Sequence, residues 1–181
     1  GAGSLTDSGY PRQVRRLRRG QPLAEAALVF EGATSDVAVG AHVDRTPGFE
    51  RTVIVQALDF YRNRVFLLRG DVPVEVPKPA DAQLEFWRRH LLIALRSDWE
   101  VGGRHYRAGS LLIADAEDYL RTERRFELLF EPGPGRSYDG HATTRSAVSS
   151  SASSSFSSST KREATSGSSS IGPAHSLAWA S

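Results

Sequence analysis

Cysteine and methionine are both absent from the 181 residues. The chain therefore has no disulfide framework and no thiolate metal site, while the redox compartment stays open. Long apolar runs are missing too, since none approaches the roughly 20 residues that span a bilayer. The Gly1 start carries no basic region followed by a hydrophobic stretch, so nothing in it targets a membrane. It also lacks an initiating methionine, and GAGSLTDSGYPR reads as the interior of a longer sequence or as a processed product. Charge of one sign is not in excess either. With 23 basic and 21 acidic side chains the net charge is +2, so no bulk basic field recruits nucleic acid. Neither a nucleic-acid nor a membrane partner is expected, and a cytoplasmic location is taken as the expectation although the composition itself leaves the compartment open.

Apolar residues make up 39% of the chain, which is modest for a globular protein, but the average hides two different regions. Up to Val148 apolar runs and charges alternate. From Ser149 serine dominates, and only Lys161, Arg162 and Glu163 carry charge. A folded region over residues 1–148 and a serine-rich tail over 149–181 follow from that shift.

The most informative stretch is 96–115, RSDWEVGGRHYRAGSLLIAD. Gly102-Gly103 supplies the positive φ angles of a hairpin turn between Trp99-Val101 and His105-Tyr106. A second turn falls at Ala108-Gly109. Leu111 to Ala114 then form an apolar run of strand length, as expected for a strand buried on both faces. Further strands are expected over 13–19, 28–30, 36–43, 52–58, 64–68, 72–76, 83–87, 91–95 and 126–130, each bounded by turn-forming residues. Residues 22–27 suit a single helical turn. Asp115 suits the N-cap of a short helix over 116–122, with acids in its first turn and Arg121 near its end. Residues 81–95 also fit a helix, with Leu84, Trp87, Leu91 and Leu95 spaced at three and four. Two strands joined near Arg89-His90 are preferred, because a lone long helix among hairpins would need its own packing layer. Roughly ten short strands without alternating helices predict an all-β antiparallel architecture, a sandwich, barrel or propeller.

Seven segments point further. SGYPR (8–12), RRG-x-PL (18–23), VFEG (29–32), SDV (35–37), VDRTPGFERT (43–52), RSDWEVGG-x-x-Y-x-AGSLL (96–112) and LFEP (129–132), in that order, resemble the β-propeller of bacterial serine peptidases of the prolyl oligopeptidase family. The resemblance implies antiparallel four-stranded blades of an incomplete β-propeller, about three of them at 40 to 50 residues each, taken from the middle of the ring. It implies a parent endopeptidase that cuts short peptides after proline or another restricted side chain. The blades would gate access to an α/β-hydrolase domain carrying a Ser, Asp and His triad, a domain this chain does not match. A stand-alone β-rich binding module with a flexible tail is the alternative.

The chemistry of the chain agrees with a noncatalytic part. A hydrolase serine sits on a strained Gly-x-Ser-x-Gly elbow, and no such pentapeptide occurs here. GRSYDGH gathers Ser137, Asp139 and His141, but in a Gly/Pro-rich loop without the separate positioning that a triad needs. His42, His90, His105, His141 and His175 show no paired metal-ligand spacing, so no metal, cofactor or catalytic residue is assigned. Arg12, Arg15, Arg16, Arg18 and Arg19 cluster without an aromatic ladder and read as a solvated strand face. Trp87, Trp99, Phe66, Tyr106 and Phe126 read as core rather than as a channel lining. Asp44, Arg45 and Glu50, beside the Pro47-Gly48 turn, fit either a charged functional loop or turn-stabilising ion pairs.

The tail SSSASSSFSSST buries almost nothing and is expected to be disordered, either as a flexible linker or as the product of a frameshift near Val148. Consecutive GTC valine codons read one base late give TCG, serine. A frameshift predicts that the neighbouring frame of the gene continues with an apolar strand, and a polar neighbouring frame contradicts it.

Overall fold

The computed structural model describes residues 3–121 and 124–134. The serine-rich tail, GRSYDGH, His141 and His175 lie outside the described residues. Two four-stranded antiparallel sheets and two shorter pairings account for the strands. In the first sheet β3 (Ala38–Asp44), β4 (Arg51–Ala57), β5 (Asn63–Arg69) and β6 (Val72–Glu75) follow one another as a meander. The second has β7 (Gln83–Trp87), β8 (His90–Ala94), β11 (Leu111–Asp115) and β12 (Glu127–Phe130) in spatial order. The hairpin of β9 (Trp99–Val101) and β10 (Arg104–Tyr106) is inserted between β8 and β11. Before the first sheet, β1 (Gln13–Arg16) pairs with β2 (Ala27–Glu31). Among the described residues helix is confined to one turn at Leu23–Glu25 and to α1 (Ala116–Arg121). The described residues are thus all-β and antiparallel, with almost no helix, and they form no closed ring.

Burial on both faces explains why the central strands read as unbroken apolar runs. Along β8, Leu91 and Ile93 face the core shared with the first sheet, while Leu92 turns to the opposite side. Along β11, Leu112 and Ala114 face that shared core, and Leu111 and Ile113 face away. The first sheet divides in the same manner. Val53, Val65 and Leu67 meet the second sheet, whereas Ile54 and Phe66 pack with Val14, Val29 and Phe30 of β1 and β2. Each fully buried Val, Leu, Ile or Phe among them contributes roughly 1.5–3 kcal/mol on leaving water. Val55 on one sheet and Leu84 and Phe86 on the other border the shared core.

Trp99, Tyr106, Tyr119 and Phe126 close its far side, with the Phe126 ring centroid 5.3, 6.0 and 5.2 Å from Trp99, Tyr106 and Tyr119 respectively. Trp87 and Phe66 pack on the two other cores. The aromatic residues expected as core are therefore core.

Turns follow the expected chemistry. Gly102 and Gly103 have φ of +60° and +72°, the pair of positive angles that a two-residue hairpin loop requires. The β7–β8 loop, Arg88-Arg89, meets a similar demand with Arg88 at φ +51°. Its strain, of order 1–3 kcal/mol, is offset by the Arg88 guanidinium over the Trp87 ring at 5.6 Å and by a bond from Arg51 to the Arg88 carbonyl. Pro73 lies in β6, an edge strand of its sheet, where a missing N–H is tolerated. β1 is shorter than expected: it ends at Arg16, after a register shift between Val14 and Arg15, and the chain then turns with Gln21 N–H bonded to the Arg18 carbonyl at 3.1 Å.

Lys78 holds the connection between the two large sheets. Its ammonium donates to the carbonyls of Asn63 at 3.0 Å, Pro79 at 3.2 Å and Ala82 at 2.8 Å. Burial pushes this amine down to about 8, against the pull of Asp81 and Glu75.

A second knot unites three of the recognisable segments. The Arg12 side chain of SGYPR donates to the Gly32 carbonyl of VFEG at 2.8 Å, and Gly32 N–H returns to the Arg12 carbonyl at 2.8 Å. Asp36 of SDV is buried, and its Oδ2 accepts from Ala33 N–H and from Gln56 Nε2, each at 2.7 Å. A Cβ on Gly32 would stand 2.6 Å from that oxygen and 2.7 Å from Val39 Cγ2. Neither neighbour can yield freely. Gly32→Ala should therefore cost about 1–3 kcal/mol in urea unfolding; an unchanged midpoint would show that the knot is loose.

Candidate functional site

A cleft of about 640 Å³ opens at one end of the two four-stranded sheets. The turn before β4 forms one lip, with Pro47 followed by Gly48 at φ +80° and Phe49 N–H bonded to the Thr46 carbonyl at 2.9 Å. Asp44 Oδ1 accepts from Thr46 N–H at 3.0 Å and from its hydroxyl at 2.7 Å. These bonds hold the Asp44 carboxyl below the usual range, more than neighbouring Arg51 does at 3.4 Å. The sequence left Asp44 open between a functional loop and a turn; it stabilises the turn. Glu50 does border the cleft, and Arg45 is exposed and does not line it.

Arg51 forms the back of the cleft. Its guanidinium lies 4.8 Å from the centre of the Phe86 ring and bonds the carbonyls of Phe49 and Arg88, so one side chain joins both sheets. Burial lowers its affinity for the proton and Asp44 partly restores it. Across the opening, Arg69 at the end of β5 meets Glu117 of α1 at 2.5 Å, and Arg89 meets Asp115 at 2.8 Å. Asp115 is also the N-cap expected for α1, accepting from Glu117 N–H at 3.0 Å and Asp118 N–H at 3.2 Å. Burial alone would raise the Asp115 carboxyl, but Arg89 and the α1 amides outweigh it and hold it low.

This arrangement can bind and brace, and among the described residues no serine, threonine or histidine lines the cleft. The described histidines lie elsewhere. His42 is exposed on β3. His90 stacks on Trp87 at 6.2 Å and is lowered by burial. His105 lies 3.5 Å from Asp98 and 3.7 Å from Glu100 on the β9–β10 hairpin. Among the described residues no three or more metal-ligating side chains come together. The arginine cluster is largely occupied by the fold. Arg12 pairs with Glu31 at 2.8 Å, Arg15 donates to the Ala26 carbonyl at 3.1 Å, and Arg16 pairs with Asp71.

Sequence reasoning missed the convergence of Arg51, Arg69, Arg89 and Glu117. No local signal could have found it, because it exists only once the sheets are stacked.

Asp44 and Asp115 are lowered from an ordinary value of 3.8. The unfolded chain thus takes up these protons first, so their stabilisation is complete only above about pH 5 and is lost as pH falls through the unfolded and then the folded values. Asp115→Asn keeps a capping oxygen and removes the ion pair. It should cost about 0.5–1 kcal/mol at pH 7 and flatten the acid limb of a pH–stability curve. Superimposable curves for the variant and the wild type would contradict this role.

No protein-family model matches the chain. It is similar to an uncharacterized peptidase of Sinorhizobium fredii, with 26% identity over 156 residues that cover 81% of this chain and 22% of that protein. An uncharacterized peptidase of Rickettsia prowazekii shows 26% identity over 154 residues, covering 80% and 21%. Among solved structures, a post-proline cleaving enzyme from Rickettsia typhi superposes with a TM-score of 0.66 at 25% identity, covering 74% of this chain and 21% of that one. The chain spans about a fifth of the length of each protein it matches. Stacked antiparallel sheets, bound together by the very segments that looked familiar in sequence, thus carry a partial resemblance to the prolyl oligopeptidase family.

Proposed function

We propose that this chain is a noncatalytic part of a prolyl oligopeptidase-like serine endopeptidase, a run of propeller blades that screens short peptides on their way to an α/β-hydrolase domain. The observation that carries the reading is the superposition, at a TM-score of 0.66, on about a fifth of a post-proline cleaving enzyme. Two features support it. Each four-stranded sheet is an up-and-down unit stacked face to face on its neighbour, which is how blades pack. The motifs that carry the resemblance serve turns and inter-strand bonds, as expected of a scaffold whose chemistry lies elsewhere.

On this reading β3 to β6 are one blade, β7, β8, β11 and β12 a second, and β1 with β2 belong to a third. The serine-rich region beyond residue 148 is then not part of the blade set. The parent would act on peptides that thread past the blades, and large folded proteins would be excluded by size.

The alternative, an independent β-rich binding module, has the paired-charge cleft in its favour, since its arginines and carboxylates suit binding of a polar ligand. Coding sequence on both sides of this segment separates the two. The peptidase reading expects further blades and a Gly-x-Ser-x-Gly elbow. Flanks without either, together with cooperative unfolding of the isolated chain as a monomer, would overturn it. An open set of blades should instead self-associate as its concentration rises, because exposed strand edges recruit one another.

A further inference from the structure

The antiparallel topology puts the β4–β5 turn at the end of the sheets opposite the cleft. This turn carries Phe60 and Tyr61 at 90% and 72% exposure, an adjacent pair of large rings held in water. Single exposed apolar residues are ordinary, but two neighbouring rings on a fixed turn are the anatomy of a contact anchor. The turn is fixed by Asp59. Its Oδ1 accepts from the N–H groups of Tyr61 at 2.8 Å and Arg62 at 2.7 Å, and its Oδ2 takes Arg62 Nε at 2.6 Å. The backbone beneath the rings is therefore already ordered before anything docks.

Beside the rings a notch of about 220 Å³ opens between the two sheets, bordered by Val55 and Ala57 on one side and by Asp81 and Arg96 on the other. Its two arginines differ. Arg62 is tied to Asp59, whereas exposed Arg96 has no hydrogen-bond or ion-pair partner among the described residues. Asp81 is engaged by the Ser97 hydroxyl at 3.1 Å. The notch thus combines an aromatic wall with an uncommitted guanidinium. An aromatic face suits a saturated ring, and a guanidinium suits bidentate binding of a carboxylate.

We propose that the Phe60–Tyr61–Arg96 notch is a docking subsite for the carboxyl-terminal end of a proline-containing peptide. The pyrrolidine ring lies against the aromatic pair and the terminal carboxylate sits at Arg96. The proposal rests on the peptidase reading for its ligand class. It adds a place where peptide is gripped on the blades, remote from any catalytic serine.

Fluorescence anisotropy with the full 181-residue chain tests it. The probes are a fluorescein-labelled hexapeptide ending in Ala-Pro with a free carboxylate, its C-terminal amide, and the same peptide ending in Ala-Ala. Saturable binding that prefers the prolyl peptide is expected. Phe60→Ser with Tyr61→Ser should weaken it about tenfold or more, and Arg96→Gln about tenfold for the free acid with no effect on the amide. All three positions are exposed, so unchanged circular dichroism is expected and checks that the fold survives. No saturable binding, equal binding of the prolyl and alanyl peptides, or indifference to the double substitution would each overturn the subsite. Sedimentation in which the double substitution abolishes self-association without affecting peptide binding would assign the rings to a second copy of the chain and overturn it as well. The two proposals fail separately. Hydrolase-coding flanks with flat anisotropy defeat the subsite alone, and specific peptide binding without such flanks defeats the parent reading alone.

Discussion

Val53, Val65 and Leu67 of one sheet meet Leu91, Ile93, Leu112 and Ala114 of the next, and this apolar contact is what the remaining structure depends on. A four-stranded sheet with both faces buried has no solvent side on which to place polar residues. The ion pairs between elements accordingly gather at strand ends and connections. The ion pairs of the cleft gather at one end of the stack, and the Asp59–Arg62 turn and the Lys78 carbonyl cage lie at the other. The cleft and the notch are thus consequences of the packing: both lie where the gap between two sheets opens to water.

The same constraint determined what could be read in advance. Leu111 to Ala114 and Leu91 to Ala94 are short unbroken apolar runs, and both are central strands buried on both faces. The helical spacing of Leu84, Trp87, Leu91 and Leu95 was a coincidence of the hairpin. In register, Leu84 opposes Ile93 and Phe86 opposes Leu91, so these line the shared core, while Trp87 opposite His90 packs on the other face. A helix would have needed Trp87 on the same side as Leu84. Turn chemistry was equally legible, because Gly102-Gly103 and Pro47-Gly48 encode their angles locally.

The cleft and the notch were not legible, and the reason is distance along the chain. Arg69 finds Glu117 across 48 residues, and Arg51 finds the Arg88 carbonyl across 37. Charges scattered in this manner carry no periodic signal. Arg88 also escaped notice, since nothing about an arginine advertises a positive φ until its place in a two-residue hairpin loop is known. The resemblance motifs, by contrast, could be recognised without being understood. Their role in joining Arg12, Gly32, Asp36 and Gln56 becomes apparent only in three dimensions.

On the proposed reading these residues form scaffold and binding surface, and bond cleavage is performed elsewhere in a parent protein. The most direct measurement is turnover of a chromogenic prolyl dipeptide anilide by the purified chain alone. No release of the chromophore above the buffer rate is expected at any pH. Turnover that scales with the concentration of the chain and is abolished by a serine-directed fluorophosphonate would contradict that reading.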